Sequence, residues 1–165
     1  MERDNVDREL DEWAASLPDV DLSGRHILWR IALTSKLVDR RLTESAREYG
    51  LGGSTVRLML ALLRSLPEHQ LSPGQLAREV GLTSGTMTVA IDQLEGRGLV
   101  ERRPDPLDRR ALLVRLTPMG KELIERAHQA YLIEEREMLR ALDAHEREQL
   151  IGLLRKLLLS LQASR

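Results

Sequence analysis

Residues 71–120 constrain the fold more than any other stretch, because helix and strand signals follow one another there in an order few folds allow. In Leu71-Ser72-Pro73-Gly74-Gln75-Leu76-Ala77-Arg78-Glu79-Val80, the Ser72 oxygen can accept from the free amides of a helix start, and Pro73 has no amide to leave unsatisfied there. Gly81 breaks this helix, and Leu82-Thr83-Ser84-Gly85-Thr86-Met87-Thr88 begins a second. Two helices joined by a tight turn containing Gly make a helix-turn-helix. Past Arg97-Gly98, the runs 99–103 and 111–116 are rich in Val and Leu and read as strands. Between them, Pro104-Asp105-Pro106-Leu107-Asp108-Arg109-Arg110 is a polar loop ending in two arginines. A β-hairpin with a basic tip directly after a recognition helix is a wing. The order predicts a winged helix-turn-helix whose partner is double-stranded DNA.

Composition agrees with a mainly α protein. The chain of 165 residues has room for one buried core with appendages. Phe is absent and only four residues are Trp or Tyr, so Leu must supply most of the packing. No Cys is present, which excludes disulfides and thiolate metal sites. No apolar run approaches the roughly 20 residues of a membrane span, and the N-terminus is charged, so a cytoplasmic protein with no membrane association is expected. The net charge of −1 hides an uneven distribution: residues 1–21 carry eight acids against Arg3 and Arg8, whereas residues 97–115 carry six arginines against three acids. The positive charge coincides with the predicted wing.

The rest of the chain reads as helices. Val6, Leu10, Trp13 and Leu17 recur at helical spacing, predicting a short amphipathic helix over 2–17 inside an N-terminal extension, residues 1–21. A long helix over about 24–49 is stopped by Gly50 and Gly52-Gly53, and Ser54 is placed to cap the next helix. Thr117-Pro118 opens another long helix, running to about 142, and Asp143 with Glu146 forms a capping box for the last one. That last helix carries Leu150, Ile151, Leu153, Leu154, Leu157, Leu158 and Leu161, an apolar stripe with no partner inside the DNA module. Such a stripe predicts an association surface. Residues 22–50 and 117–165 are therefore expected to form a helical dimerisation region for a homodimer, and residues 51–116 the DNA-binding lobe.

In the second helix, Met87, Ile91 and Leu94 form an inward face with Leu82, which turns Ser84, Gly85, Thr86, Thr88, Val89, Asp92 and Gln93 outward. Hydroxyls at the first turn suit phosphates and base edges, methyl groups suit thymine, and Gly85 allows close approach. The candidate DNA-contacting residues are Gln75, Ser84, Gly85, Thr86, Thr88, Val89, Arg109 and Arg110. Asp108 can hold one arginine in a forked ion pair while the other projects into a minor groove. Arg110 is favoured for the groove and Arg109 for the pair, and spacing leaves both assignments open. No enzyme, cofactor or metal is expected. The histidines (26, 69, 128, 145) are scattered, and Glu125-Arg126-Ala127-His128 has the spacing of one half of a di-iron site without a second copy.

The order of the pieces, with Gly98-Leu99-Val100-Glu101-Arg102, Asp105-Pro106-Leu107-Asp108-Arg109-Arg110 and Leu116-Thr117-Pro118-Met119-Gly120, resembles the MarR family of bacterial transcription regulators over the whole length. The resemblance implies a homodimer with interlocked first and last helices, two winged lobes on a pseudo-palindromic operator, a repressor, and release of the DNA by a small ligand. Trp13-Ala14-Ala15-Ser16-Leu17-Pro18-Asp19-Val20-Asp21 resembles the N-terminal extension of that family's PecS, urate-responsive branch. Trp13 matches that branch and Arg102 takes the place of its wing-base arginine, but Arg57 stands where the branch has Asp and Ala90 where it has Arg. Those departures imply an aromatic or carboxylate anion in place of urate, with Trp13, His26, Trp29, Arg57 and Arg102 as candidate ligand-binding residues. The bland alternative makes Trp13 and Trp29 core residues and Arg57 an ion-pair partner of Asp21 or Glu44. A different functional class also fits: a sensor whose chief activity is small-molecule binding, with DNA binding weak or lost.

Overall fold

A computed structural model describes residues 3–108 and 111–163. Its elements are α1 (Asn5–Ser16), α2 (Ser23–Arg47), α3 (Gly53–Arg64), β1 (Gln70–Leu71), α4 (Pro73–Val80), α5 (Ser84–Gly96), β2 (Val100–Pro104), β3 (Leu112–Leu116), α6 (Pro118–Met138) and α7 (Ala144–Ala163). None of these helices is long and apolar enough to cross a membrane. The chain is mainly α with a winged helix-turn-helix formed by α4, α5 and the β2–β3 hairpin.

Side-chain caps explain most helix starts. Asp4 and Asp7 bond reciprocally at α1, Ser72 and Gln75 at α4, and Asp143 and Glu146 at α7. Thr83 and Thr117 cap α5 and α6. Gly81 takes the left-handed conformation that ends α4 (φ 69°). One expected cap is corrected. Helix α3 begins at Gly53 rather than after Ser54, and Thr55 does the capping, its Oγ1 accepting from Gly52 N–H at 2.9 Å and donating to the Gly52 carbonyl. Helix α6 also stops short of the expected 142. Arg147 reaches back from α7 to the carbonyls of Leu139 and Leu142, satisfying acceptors that the ended helix leaves open.

The sheet has three antiparallel strands in the order β1-β3-β2, one more than the predicted hairpin. In β2–β3, Val100 faces Leu116 and Pro104 faces Leu112, and β1 adds Leu71 opposite Val114. Beneath the sheet lies a buried cluster that includes Leu51, Val56, Leu58, Met59 and Leu62 of α3 and its approach, Leu76 of α4, and Met87, Ile91 and Leu94 of α5. Val114, Leu116, Ile124, Ala127 and Tyr131 close it from β3 and α6. Burial pushes the Tyr131 hydroxyl up to about 12, with Asp39 adding to the rise and Arg57 opposing it. Helix α1 lies on α2 through buried Val6 and Leu10 and through Arg30, which donates to Asp4 and Asp7. The hydrogen bond from Arg30 holds the Asp7 carboxyl below the usual range. Helix α7 buries none of its twenty residues.

One joint ties the lobe to the long helix. Thr117 N–H donates to the Leu99 carbonyl (3.1 Å), while Thr117 Oγ1 donates to Gly98 O (2.7 Å) and accepts from Gly120 N–H (3.0 Å). Gly120 is there because nothing larger fits: a Cβ at 120 would lie 1.8 Å from the Leu99 carbonyl oxygen. Gly120→Ala is expected to cost about 3 kcal/mol or more, since backbone must move to admit it. Gly74→Ala, where a Cβ meets nothing within 4 Å, is expected to be neutral or to gain up to about 1 kcal/mol in α4. Thermal melts followed by circular dichroism distinguish the two. Equal melting temperatures would remove the joint from the account.

Candidate nucleic-acid interface

Helix α5 divides cleanly between two faces. Met87, Ala90, Ile91 and Leu94 are buried, while Ser84, Gly85, Thr86, Thr88, Val89, Asp92 and Gln93 are exposed. Burial of Ala90 adds a fifth residue to the predicted inward face of Leu82, Met87, Ile91 and Leu94. The exposed hydroxyls are not all equally free to read bases. Thr88 Oγ1 donates to the Ser84 carbonyl at 3.0 Å, which leaves it as an acceptor, and Thr86 Oγ1 shares a proton with Thr83 Oγ1 at 2.9 Å. Ser84 stands at the first turn, on a helix end whose amides favour anions. Gln75 is exposed on α4, and its Oε1 accepts from Ser72 N–H, so its donor capacity lies in the amide NH₂.

The wing is fastened to α5 by Arg102. Its guanidinium reaches Asp92 at 2.5 Å and also pairs with Glu95, while Glu95 Oε1 accepts from Arg102 N–H at 3.1 Å. The bond to Asp92 does most to raise the Arg102 pKa; burial opposes it, and the charge of Glu95 adds to the rise. This clamp puts one positive charge between two carboxylates of α5, offsetting half of their charge. Other acids near the sheet are covered in the same way: Arg103 holds Glu101 at 2.8 Å and Arg115 holds Glu68 at 3.4 Å. The far end of α5 is tied as well, because Arg97 donates to the Gly50 carbonyl at 2.6 Å. Asp92 and Glu95 as an arginine clamp, and Arg97 as a tie to the end of α2, were not foreseen. Only pairing across the fold shows them.

The wing loop is closed by Asp105 N–H to Ala111 O (3.0 Å) and Ala111 N–H to Asp108 O (2.9 Å). Arg109 and Arg110 lie outside the described residues, and so does the expected pairing of either with Asp108.

The five candidate ligand-binding residues do not meet in one place within the chain. Trp13 and Trp29 share Arg25, whose guanidinium carbon sits 4.4 Å from one ring centroid and 5.3 Å from the other. Neither Trp is core. His26 is exposed on the next position of α2. Arg57 pairs with Asp39 at 3.9 Å, not with Asp21 or Glu44, and Arg102 belongs to the wing clamp. A cavity of about 310 Å³ beside Trp29 is lined by Val6, Glu9, Ala32, Leu33 and Lys36, and it takes in neither Trp13 nor the arginines. Arg25 is the residue that the sequence reading missed. Its signal was the four-residue spacing to Trp29, which puts both on one face of α2. Among the described residues no group of three or more His, Asp or Glu could hold a metal ion.

Comparison with known proteins agrees with this geometry. The profile of the MarR family matches residues 49–111, the lobe from the end of α2 to the wing. The HTH-type transcriptional regulator PecS of Dickeya dadantii (strain 3937) is 28% identical over 143 residues, covering 87% of this chain and 86% of PecS. The uncharacterized HTH-type transcriptional regulator YdgJ of Bacillus subtilis (strain 168) is 34% identical over 108 residues, 66% of this chain and 64% of YdgJ. The crystal structure of a mutant MarR from E. coli complexed with operator DNA superposes with a TM-score of 0.71 at 29% identity, covering 84% of this chain and 99% of that one. These relatives are transcription regulators, not enzymes. With its helix-turn-helix, its wing and the joint at Gly120, the chain is similar in sequence and in fold to DNA-binding transcription regulators of the MarR family.

Proposed function

We propose that the protein is a homodimeric, sequence-specific repressor that binds a pseudo-palindromic operator in the cytoplasm and is released by a small aromatic or carboxylate anion. The observation that carries the DNA reading is the outer face of α5, small and uncovered from Ser84 to Val89, beside a wing locked to the same helix by Arg102. The complex of E. coli MarR with operator DNA supports it. Residues Ser84, Gly85, Thr86, Thr88 and Val89 enter the major groove, Gln75 meets the backbone, and Arg109 or Arg110 reaches the minor groove with Asp108 in support. A dimer lying across a promoter excludes other proteins from the duplex it covers, which is repression in its simplest form.

Dimerisation rests on α7, where Leu150, Ile151, Leu153, Leu154, Leu158, Leu159 and Leu161 are all exposed in the single chain. Light scattering at micromolar concentration is expected to give twice 18.8 kDa. Leu154→Glu with Leu158→Glu should give a folded or partly folded monomer, because charge without partners cannot be buried cheaply. A monomeric native chain ends the dimer proposal.

Selection from random duplexes is expected to recover half-sites about 10–10.5 base pairs apart, one turn of DNA. Arg110→Ala should weaken binding and flatten the slope of log affinity against log salt by about one unit, as one cation fewer releases counterions. Thr86→Ala and Thr88→Ala should change base preference instead. Unchanged affinity for Arg110→Ala would take that arginine out of the mechanism.

Arg102→Ala is expected to lower affinity roughly tenfold, because it frees the wing and uncovers Asp92 and Glu95 toward phosphates. The fold should lose only about 1 kcal/mol or less, since the pair is partly exposed and screened. Restoration of affinity in the Asp92→Asn, Glu95→Gln background would identify repulsion as the cause. Failure of that background to recover leaves wing position as the cause.

For the effector, Arg25 between two indoles is the group best suited to an aromatic acid, and among the described residues no carboxylate pairs with it. Aromatic acids should release the DNA and change Trp fluorescence, and urate should do so weakly or not at all. Release by urate in the low micromolar range (about 1–10 μM, a ligand affinity near 7–8 kcal/mol), or an unaltered response in Arg25→Ala, would overturn this assignment.

A further inference from the structure

We propose that Leu107 is a specificity-determining DNA contact, packing against the sugar walls of the minor groove beside each half-site and favouring flanks without the guanine amino group. The inference rests on the DNA-binding reading above and extends it to an uncharged residue of the wing.

Leu107 is 97% exposed, the most exposed of the large apolar side chains among the described residues. Single exposed leucines are common on protein surfaces, so exposure alone says little. What sets this one apart is the backbone beneath it. Leu107 N–H donates to Asp105 Oδ1 at 2.8 Å, an Asx turn that fixes the tip, and Pro106 restricts the residue between them. The two hydrogen bonds joining Asp105, Ala111 and Asp108 close the loop, and the Pro104–Leu112 pair anchors it to the sheet. At the other end of the hairpin, Arg102 locks β2 to α5. An isobutyl group is therefore held out in solvent at the point of a braced hairpin, on the element whose sequence continues into Arg109 and Arg110.

The chemistry indicates which surface it fits. A leucine side chain offers no donor to the adenine N3 and thymine O2 acceptors on the groove floor. Its gain comes from covering the C–H surface of the deoxyribose walls, which approach most closely where the groove is narrow, as in A·T-rich DNA. A guanine N2 amino group in the floor would lose water to the isobutyl group without gaining an acceptor, which is unfavourable. Apolar side chains placed in minor grooves are a known mode of DNA contact. The adjacent arginines supply the charge, and Leu107 supplies the discrimination they lack.

The test uses the full chain and the duplex recovered by selection, with the base pairs under the wing made A·T, G·C or inosine·C. Inosine·C keeps the major-groove face of G·C but lacks the N2 amino group. The native chain is expected to bind the A·T and inosine·C flanks about fivefold more tightly than the G·C flank. Leu107→Ala should lose most of that difference with no change in its salt slope, because no charge is removed. A flattened slope would mean that the arginines had moved, and would overturn a direct role for Leu107. Equal discrimination by Leu107→Ala and the native chain, or inosine·C behaving as G·C, would overturn it too. A native chain that binds no duplex would instead sink the DNA-binding reading, and this inference with it.

Discussion

The geometry of the whole lobe depends on a contact between backbones, the Leu99 carbonyl lying where residue 120 would carry a Cβ. That contact lets Thr117 act twice. Its side chain caps α6 and also bonds the carbonyl of Gly98, the residue where the recognition helix gives way to the wing. Gly98 N–H in turn bonds Glu95, and Leu99 N–H bonds Leu94, so the end of α5 is set by the same few residues. The start of the long helix, the start of β2 and the end of α5 thus share one rigid joint. A substitution that opened it would disturb three elements at once, which is why a Leu-Thr-Pro-Met-Gly sequence carries so much structural information for its length.

The weak net charge is reconciled with DNA binding by where the acids are held. Asp4 and Asp7 of the acidic extension are engaged by Arg30 of α2, and Asp21 caps its own turn through the Ser23 amide and hydroxyl. On the lobe, Asp92 and Glu95 share Arg102, Glu101 faces Arg103 and Glu68 faces Arg115. Such partly exposed pairs add little to stability. Their effect is on the field: each arginine offsets part of the carboxylate charge on the lobe, although the chain as a whole is slightly acidic.

What could be read from the sequence was what is local in the chain. The Ser72–Gln75 and Asp143–Glu146 boxes, the Gly81 break, the inward face of α5 and the two wing strands all follow from spacings of a few residues. Strand β1 was missed because it is two residues long and is introduced by His69 in the left-handed conformation (φ 52°), which a non-glycine residue does not advertise. The cap of α3 was misplaced because Thr55 does from inside the helix what a Ser at its start commonly does. The early end of α6 depends on Arg147, eight residues beyond Leu139. The clamp of Arg102 and the stacking of Arg25 on Trp13 were hidden for the same reason: each joins elements whose approach is decided by the core. Of the candidate ligand set, Trp13 and Trp29 meet at Arg25, while in the single chain Arg57 pairs with Asp39 and Arg102 with the acids of α5.

The ties on α5 are unevenly distributed, and the pattern bears on how it reads DNA. Asp92 and Glu95 in its second half, and Arg97 just past its end, make the polar contacts that fix it to the wing and to the turn after α2. In its first half the anchor is buried Met87, and the hydroxyls of Thr86 and Thr88 bond only within the helix and its cap. The end with the exposed amides, Gly85 and the small side chains is therefore the end with no long-range polar partner. For a helix that must present its N-terminus to a groove, this is the economical arrangement. Orientation is set from the second half, and at the other end the hydroxyls of Thr86 and Thr88 bond to nearby groups of the helix start and keep acceptor capacity.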